Sequence, residues 1–143
     1  MTYTNNQKAC LLLRLFLGMM FLFASFGKFK MGLNAFADMI AKGFTDTMLP
    51  HFFLVAYGYV LPIVELVLGI TLLLGIFADV MTMVAALTLL SLFFGKFITG
   101  DGAVAAYYAL YFFVAVYAVR CFEHVALSVD VMTRKRKLAT PSS

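Results

Sequence analysis

Charged residues and the usual metal ligands are scarce in this chain. Only 13% of its 143 residues are charged, Trp is absent, and there are two cysteines and two histidines. Soluble domains carry about a quarter charged residues, so the composition excludes a soluble core inside a solvated shell. Cys10 and Cys121 lack CxxC spacing, which excludes a dithiol redox motif.

Hydrophobic residues are abundant instead, at 64% of the chain, and they come in long blocks. Each block approaches the roughly 20 residues that a helix needs to cross hydrocarbon, and continuous apolar runs are untypical of barrel strands. The predicted spans are residues 9–27, 52–77, 80–98 and 103–121. We therefore predict an all-α integral membrane four-helix bundle over residues 1–133, followed by a basic polar cytoplasmic tail over residues 134–143.

The segment between the first two spans has helical periodicity. Its apolar positions are Leu33, Phe36, Ala37, Ile40, Ala41 and Phe44. Asn34, Asp38 and Lys42 fall on another face, which predicts an interfacial amphipathic helix along the membrane surface. We expect Gly43 to end this helix and residues 45–47 to cap the next one. The turn between the second and third spans is expected at Asp79.

Four spans place both termini on the same side of the membrane. The basic run at residues 134–137, together with Lys8 and Arg14, favours a cytoplasmic side for them. The lysines at positions 28, 30, 42 and 96 oppose this orientation. The basic run is expected to meet anionic lipid headgroups; a nucleic-acid partner is not expected, because that needs basic residues along a folded face.

The two histidines limit the cofactors that the chain can hold. His51 starts the second span and His124 follows the fourth, so they lie at opposite ends of the bundle and cannot ligate one haem or metal. We therefore expect no metal site and no covalently bound cofactor. The sequence also has no phosphate-binding loop, dinucleotide-binding glycines or nucleophile elbow.

Glu65 is the most informative residue, because it lies near the middle of the second span, shortly after Pro62. A bare charge at mid-bilayer costs at least about 2.5–3.5 kcal/mol, so this carboxylate must face the bundle interior, find a partner or be protonated. One interpretation is a ligand anchor or proton-handling group, and the other is a structural ion pair. Arg14 and Lys28 are both candidate partners, and either would otherwise snorkel to an interface.

Two short repeats end the first and third spans. Residues 26–29 and 94–97 both read Phe-Gly-Lys-Phe, which suggests two helical hairpins of like orientation. Lys28 and Lys96 should then lie at the same outer interface, where they are candidates to hold a small anion beside the turn at residues 99–102. The alternative for Lys96 is a surface pair with Asp101.

Three tyrosines cluster in the outer half of the fourth span. Tyr107 and Tyr111 share a helical face, as do Tyr108 and Tyr111. An interfacial aromatic belt accounts for them. The functional alternative is hydrogen bonding to a quinone-like headgroup inside the bundle.

Two segments carry a family resemblance. Residues 14–29, which run from Arg14 through Gly18 to Gly27-Lys28-Phe29, resemble the opening of DoxX-like membrane proteins, and residues 62–75 look like the Glu-Leu-x-x-Gly segment of that family. The resemblance implies a four-helix bacterial inner-membrane protein related to the DoxD component of thiosulfate–quinone oxidoreductase. Arg14, Lys28 and Glu65 match the polar positions of the family. The histidine and asparagine often found after the third helix are absent, so thiosulfate specificity is not carried over.

The leading hypothesis is a subunit of a quinone-linked membrane redox system, working with partner subunits or with a second copy. Glu65 is the candidate catalytic residue. The candidate ligand-binding residues are Arg14, Lys28, Lys96, Tyr107 and Tyr111, and quinone is the candidate cofactor. One alternative is a non-catalytic scaffold in which Arg14 and Glu65 clamp two helices. A second is a small-solute carrier. The sequence is therefore compatible with both a catalytic and a non-catalytic role.

Overall fold

The computed structural model describes residues 5–120, and these form five α-helices with no strand among them. The helices are α1 (Asn5–Met31), α2 (Leu33–Gly43), α3 (His51–Leu74), α4 (Ala78–Ile98) and α5 (Gly102–Arg120). All except α2 are long and apolar enough to cross a membrane, which confirms the predicted all-α bundle. The predicted tail, residue 121 of the fourth span, Cys121 and His124 lie outside the described residues.

The helix ends differ from the predicted span ends in ways that matter for the site. α1 starts and ends four residues outside the predicted span of 9–27. Its last turns contain Lys28 and Lys30, which are good helix formers and do not interrupt it. The helix ends at Met31, and Gly32 follows it with a φ of 96°, which suits a residue without a side chain. Lys28 therefore lies in the last turn of α1 and not beyond the end of the helix.

The turn between α3 and α4 falls earlier than predicted. Gly75 closes α3 in the left-handed conformation, with φ 69°, and donates its N–H to the carbonyl of Thr71. Phe77, with φ 45°, precedes the first residue of α4. The expected turn at Asp79 is wrong, because Asp79 lies in the first turn of α4, where a carboxylate interacts favourably with the helix dipole.

The amphipathic α2 ends at Gly43 as predicted and buries Phe36, Ala37 and Ala41. The expected capping of α3 by residues 45–47 is wrong, because α3 follows Pro50 without a side-chain cap. The hydroxyls of Thr45 and Thr47 instead donate back to the carbonyls of Lys42 and Phe44, at the carboxyl end of α2. These bonds satisfy carbonyls that the helix leaves open. The orientation of α2 along the membrane surface stays a prediction.

Two antiparallel hairpins, α1 with α3 and α4 with α5, make the most extensive helix contacts. Glycines allow the closest approaches: a Cβ on Gly69 would lie 2.8 Å from the Leu22 nitrogen, and one on Gly58 would lie 2.6 Å from the Ala37 Cα. The bundle core includes Leu17, Phe21, Leu68, Leu72, Ala85, Leu89 and Ala115. These contacts fix α3 between α1 and α2.

Candidate functional site

A buried ion pair joins α1 to α3. The ammonium nitrogen of Lys28 lies 2.8 Å from Oε1 and 2.6 Å from Oε2 of Glu65. Glu65 is 1% exposed and the Lys28 side chain 17%. Glu65 lies fourteen residues after the start of α3 and nine before its end, or about 21 Å and 14 Å along the helix axis. The pair therefore lies well inside the span, where each charge needs the other.

Two side chains near this pair, Phe36 and Ser25, connect it to the rest of the bundle. The Lys28 nitrogen lies 5.4 Å from the ring centroid of Phe36, which α2 supplies and which is almost fully buried. One turn before Lys28, the buried Ser25 hydroxyl donates to the carbonyl of Pro62 at 3.0 Å. The ammonium thus has a carboxylate on one side and an aromatic face within cation–π range on another.

Arg14 is not the partner of Glu65. Fourteen residues separate Arg14 from Lys28, which corresponds to about 21 Å along α1. Arg14 is buried in the bundle at 6% exposure. The predicted ion pair between Arg14 and Glu65 is therefore wrong, because the cation that pairs with Glu65 is Lys28.

Lys96 has a different environment from Lys28, although both follow the same short repeat. The ammonium nitrogen of Lys96 lies 3.4 Å from Oδ2 of Asp101, and both side chains are more than 40% exposed. The backbone N–H of Val104 donates to Oδ1 of Asp101, which caps α5. The carboxylate of Asp101 thus occupies the position beside Lys96 and the start of α5 where a small anion was expected.

The tyrosines of α5 point in different directions. Tyr107 is 62% exposed, as an interfacial aromatic residue would be. Tyr108 and Tyr111 are half-buried and pack against the core cluster. The Tyr111 ring lies 6.1 Å from the ring of Phe16.

An apolar cavity of about 270 Å³ lies between α2, α3 and α4. Its lining residues are Ile40, Phe44, Leu49, Phe53, Leu54, Tyr57, Ser91, Phe94, Gly95 and Ile98. Phe53, Phe94 and Ile98 are all more than a third exposed, so the cavity opens on the surface of the bundle that α3 and α4 form. Its size is close to the lower end of the range for small-molecule sites. A smaller extension of about 50 Å³ shares Tyr57 and Ser91 and reaches Lys96.

Two hydroxyls provide the polar side of this cavity. The Tyr57 and Ser91 oxygens lie 2.8 Å apart, and the Ser91 hydroxyl also lies 2.8 Å from the carbonyl of Thr88, to which it donates. Tyr57 lies eight residues before Glu65 in α3, which corresponds to about 12 Å along the helix axis. The cavity and the buried ion pair therefore lie about two helical turns apart along α3.

Tyr57 and Ser91 were not among the site residues predicted from the sequence. Ser91 had a usable signal, since it is the only polar residue in the run 89–95. Tyr57 had a weaker one, because Phe52, Phe53 and Tyr59 surround it in an aromatic stretch. Their pairing depends on the register between α3 and α4, which the misplaced turn at Asp79 would have shifted.

The family model DoxX matches residues 9–99, which include α2, α3, α4 and nearly all of α1. No curated protein and no solved structure matches the chain.

Proposed function

The chain belongs to the DoxX family of membrane proteins, and from that premise we propose that it is a subunit of a quinone-linked redox system. It would lie in the inner membrane of a bacterium, with both termini in the cytoplasm and with partner subunits or a second copy beside it. The observation that carries the proposal is the buried Lys28–Glu65 pair about two helical turns along α3 from a cavity that has two hydroxyls in its wall. Buried charges inside spans are expensive and usually functional.

The position of the cavity supports a ligand that arrives from the membrane. The exposed rim residues Phe53, Phe94 and Ile98 belong to helices that cross the bilayer. A ligand with a flat polar ring and a long apolar tail can enter there while its tail stays among the acyl chains. Isoprenoid quinones have this form.

The geometry changes the role that we assign to Glu65. Both of its oxygens accept hydrogen bonds from Lys28 and the residue is 1% exposed, so it is not open to direct contact with a ligand. Tyr57, about two turns before Glu65 in α3, does line the cavity. In this proposal Glu65 is a positioning residue that acts through Tyr57.

Equilibrium binding of decylubiquinone to the purified full chain in lipid nanodiscs tests the proposal. We expect saturable binding by the wild type and at least severalfold weaker binding by Glu65→Gln. Asp79→Asn is the matched control, because Asp79 is an exposed carboxylate in the first turn of α4, and it should bind as the wild type does. Binding by the wild type that does not exceed the uptake of empty nanodiscs would refute a quinone role.

A non-catalytic scaffold is the second candidate, and a specific observation favours it. Glu65 and Lys28 satisfy each other, and α3 is in close contact with α1 at Gly69 and with α2 at Gly58. Such a pair is a complete helix clamp without any ligand. A scaffold predicts that Glu65→Gln lowers stability in detergent while the wild type binds no quinone. Weaker quinone binding by Glu65→Gln at unchanged stability would exclude it.

A further inference from the structure

The Tyr57 and Ser91 hydroxyls form a hydrogen-bonded pair whose protons are already assigned by its neighbours. Ser91 donates to the carbonyl of Thr88, so its single proton is used. The short contact between the two hydroxyls then requires Tyr57 to donate to Ser91. In this arrangement the phenolic oxygen of Tyr57 keeps its lone pairs and offers no proton.

A second arrangement needs only the rotation of two O–H bonds. If Ser91 turns its proton toward Tyr57, the Tyr57 proton becomes available to another acceptor. The Thr88 carbonyl lies inside α4, where it keeps its place in the helical hydrogen-bond ladder. The pair can therefore accept from a ligand in one arrangement and donate to a ligand in the other, without movement of a heavy atom.

We propose that this hydroxyl pair hydrogen-bonds a carbonyl oxygen of a lipid-soluble quinone, or the corresponding hydroxyl of its quinol, inside the cavity between α2, α3 and α4. The inference rests on the proposed function and adds the site to it. A quinol hydroxyl donates to the lone pair of Tyr57 in the first arrangement. A quinone carbonyl, which only accepts, takes the proton of Tyr57 in the second.

The walls of the cavity suit a flat ring. Phe53 and Tyr57 are stacked, with ring centroids 6.3 Å apart and an interplanar angle of 24°. Phe44 and Phe94 add aromatic surface, and the rest of the lining is aliphatic apart from Gly95 and the two hydroxyls. A quinone ring can stack on these aromatic side chains in the offset geometry that aromatic pairs prefer. Its oxygen can then reach the Tyr57 and Ser91 hydroxyls.

Paired affinities for decylubiquinone and decylubiquinol test the assignment. Tyr57→Phe should weaken binding of both forms about tenfold, the factor that a hydrogen bond of ordinary net strength gives. Ser91→Ala leaves Tyr57 without its acceptor, so the phenol proton is free for a carbonyl. This variant should shift the ratio of affinities toward the quinone. A role in packing alone would not change that ratio.

Tyr59→Phe is the matched control. Tyr59 lies two residues further along α3, donates to Oδ1 of Asn34 and does not line the cavity. The Tyr59→Phe variant should bind decylubiquinone and decylubiquinol with the same affinities as the wild type. If the wild type binds both forms and Tyr57→Phe binds them equally well, the ring lies elsewhere and the site is wrong, while the proposed function stands. If the wild type binds neither form, both the proposed site and the proposed function are refuted.

Photolabelling gives an independent result if Tyr57→Phe does not fold. An azidoquinone should label the wild-type chain in peptides that contain Tyr57 or Ser91, and excess decylubiquinone should suppress the label. A label confined to α5 would overturn the assignment. Suppression by a fatty acid but not by decylubiquinone would also overturn it, because the occupant would then be an acyl chain.

Discussion

Glu65 and Lys28 each need the other, because both charges lie inside the hydrophobic part of the bundle. Glu65 is 1% exposed and accepts two hydrogen bonds from one ammonium group. Loss of either partner leaves a buried charge without compensation. Loss of both leaves an apolar contact of similar volume, which is often neutral or even stabilising relative to the ion pair.

A double-mutant cycle on this pair is the prediction at the residue scale. Lys28→Met should lower the free energy of unfolding by about 3–5 kcal/mol, because it strands the carboxylate. Glu65→Leu should have a similar effect. The double variant should be more stable than either single variant. Unfolding in mixed detergent micelles measures all four proteins.

The exposed pair at the end of α4 supplies the control for this cycle. Lys96 and Asp101 are 3.4 Å apart and both more than 40% exposed, so Lys96→Met should cost no more than about 1 kcal/mol. Strictly additive effects of the Lys28 and Glu65 substitutions would show that the two side chains do not depend on each other.

The importance of Glu65 was predictable from the sequence, and its partner was not. A lone carboxylate in a long apolar block must have a reason to be there, whatever the fold. The choice between Arg14 and Lys28 depended on where α1 ends. Because α1 continues to Met31, Lys28 lies about one turn inside the helix and faces α3, while a span that stops at residue 27 places it at the interface.

At the scale of elements, α3 is held by close contacts at glycines. A Cβ on Gly58 would lie 2.6 Å from the Cα of Ala37 in α2, and one on Gly69 would lie 2.8 Å from the Leu22 nitrogen in α1. Both neighbours are backbone atoms, which cannot rotate away. Small residues that let helix backbones approach closely are typical of packing in membranes.

Substitution of these glycines by alanine is the prediction for the elements. Gly58→Ala should push α2 away from α3, and Gly69→Ala should separate α1 from α3, each at about 1–3 kcal/mol of stability. Gly27→Ala is the matched control, because a Cβ there meets nothing within 4 Å. It should be neutral or slightly stabilising, since alanine favours a helix more than glycine does. Thermal unfolding in one detergent compares the three.

Helix identity was predictable, whereas the contacts between helices were not. Long apolar blocks and the periodicity of residues 33–44 each identified a helix, because burial in lipid leaves few other options for the backbone. The cap and turn residues were misassigned around α3, since Thr45, Thr47 and Asp79 have more than one way to satisfy a helix end. The cavity depends on how α2 crosses α3 and α4, so only the structure could place Tyr57 beside Ser91.

At the scale of the whole molecule, the cavity and the ion pair lie at different depths of the bundle. α3 begins where α4 ends, and the cavity lies there, with α2 beside it. The buried pair lies further along α3 toward the opposite side of the bundle. The orientation of the chain in the membrane therefore decides which compartment lies next to the cavity.

Orientation is the last prediction, and charge supports it. The basic residues at positions 134–137, together with Lys8 and Arg14, favour a cytoplasmic location for both termini. A green fluorescent protein fused after Ser143 should therefore fluoresce in a bacterial host, and alkaline phosphatase inserted after Asp46, between α2 and α3, should be active outside the cytoplasm. The reverse pattern would place the α2 side, and with it the cavity, toward the cytoplasm. In the proposed redox function, a reductant would then have to reach the quinone from within the cell, so this topology experiment also tests on which side the proposed partner subunit would dock.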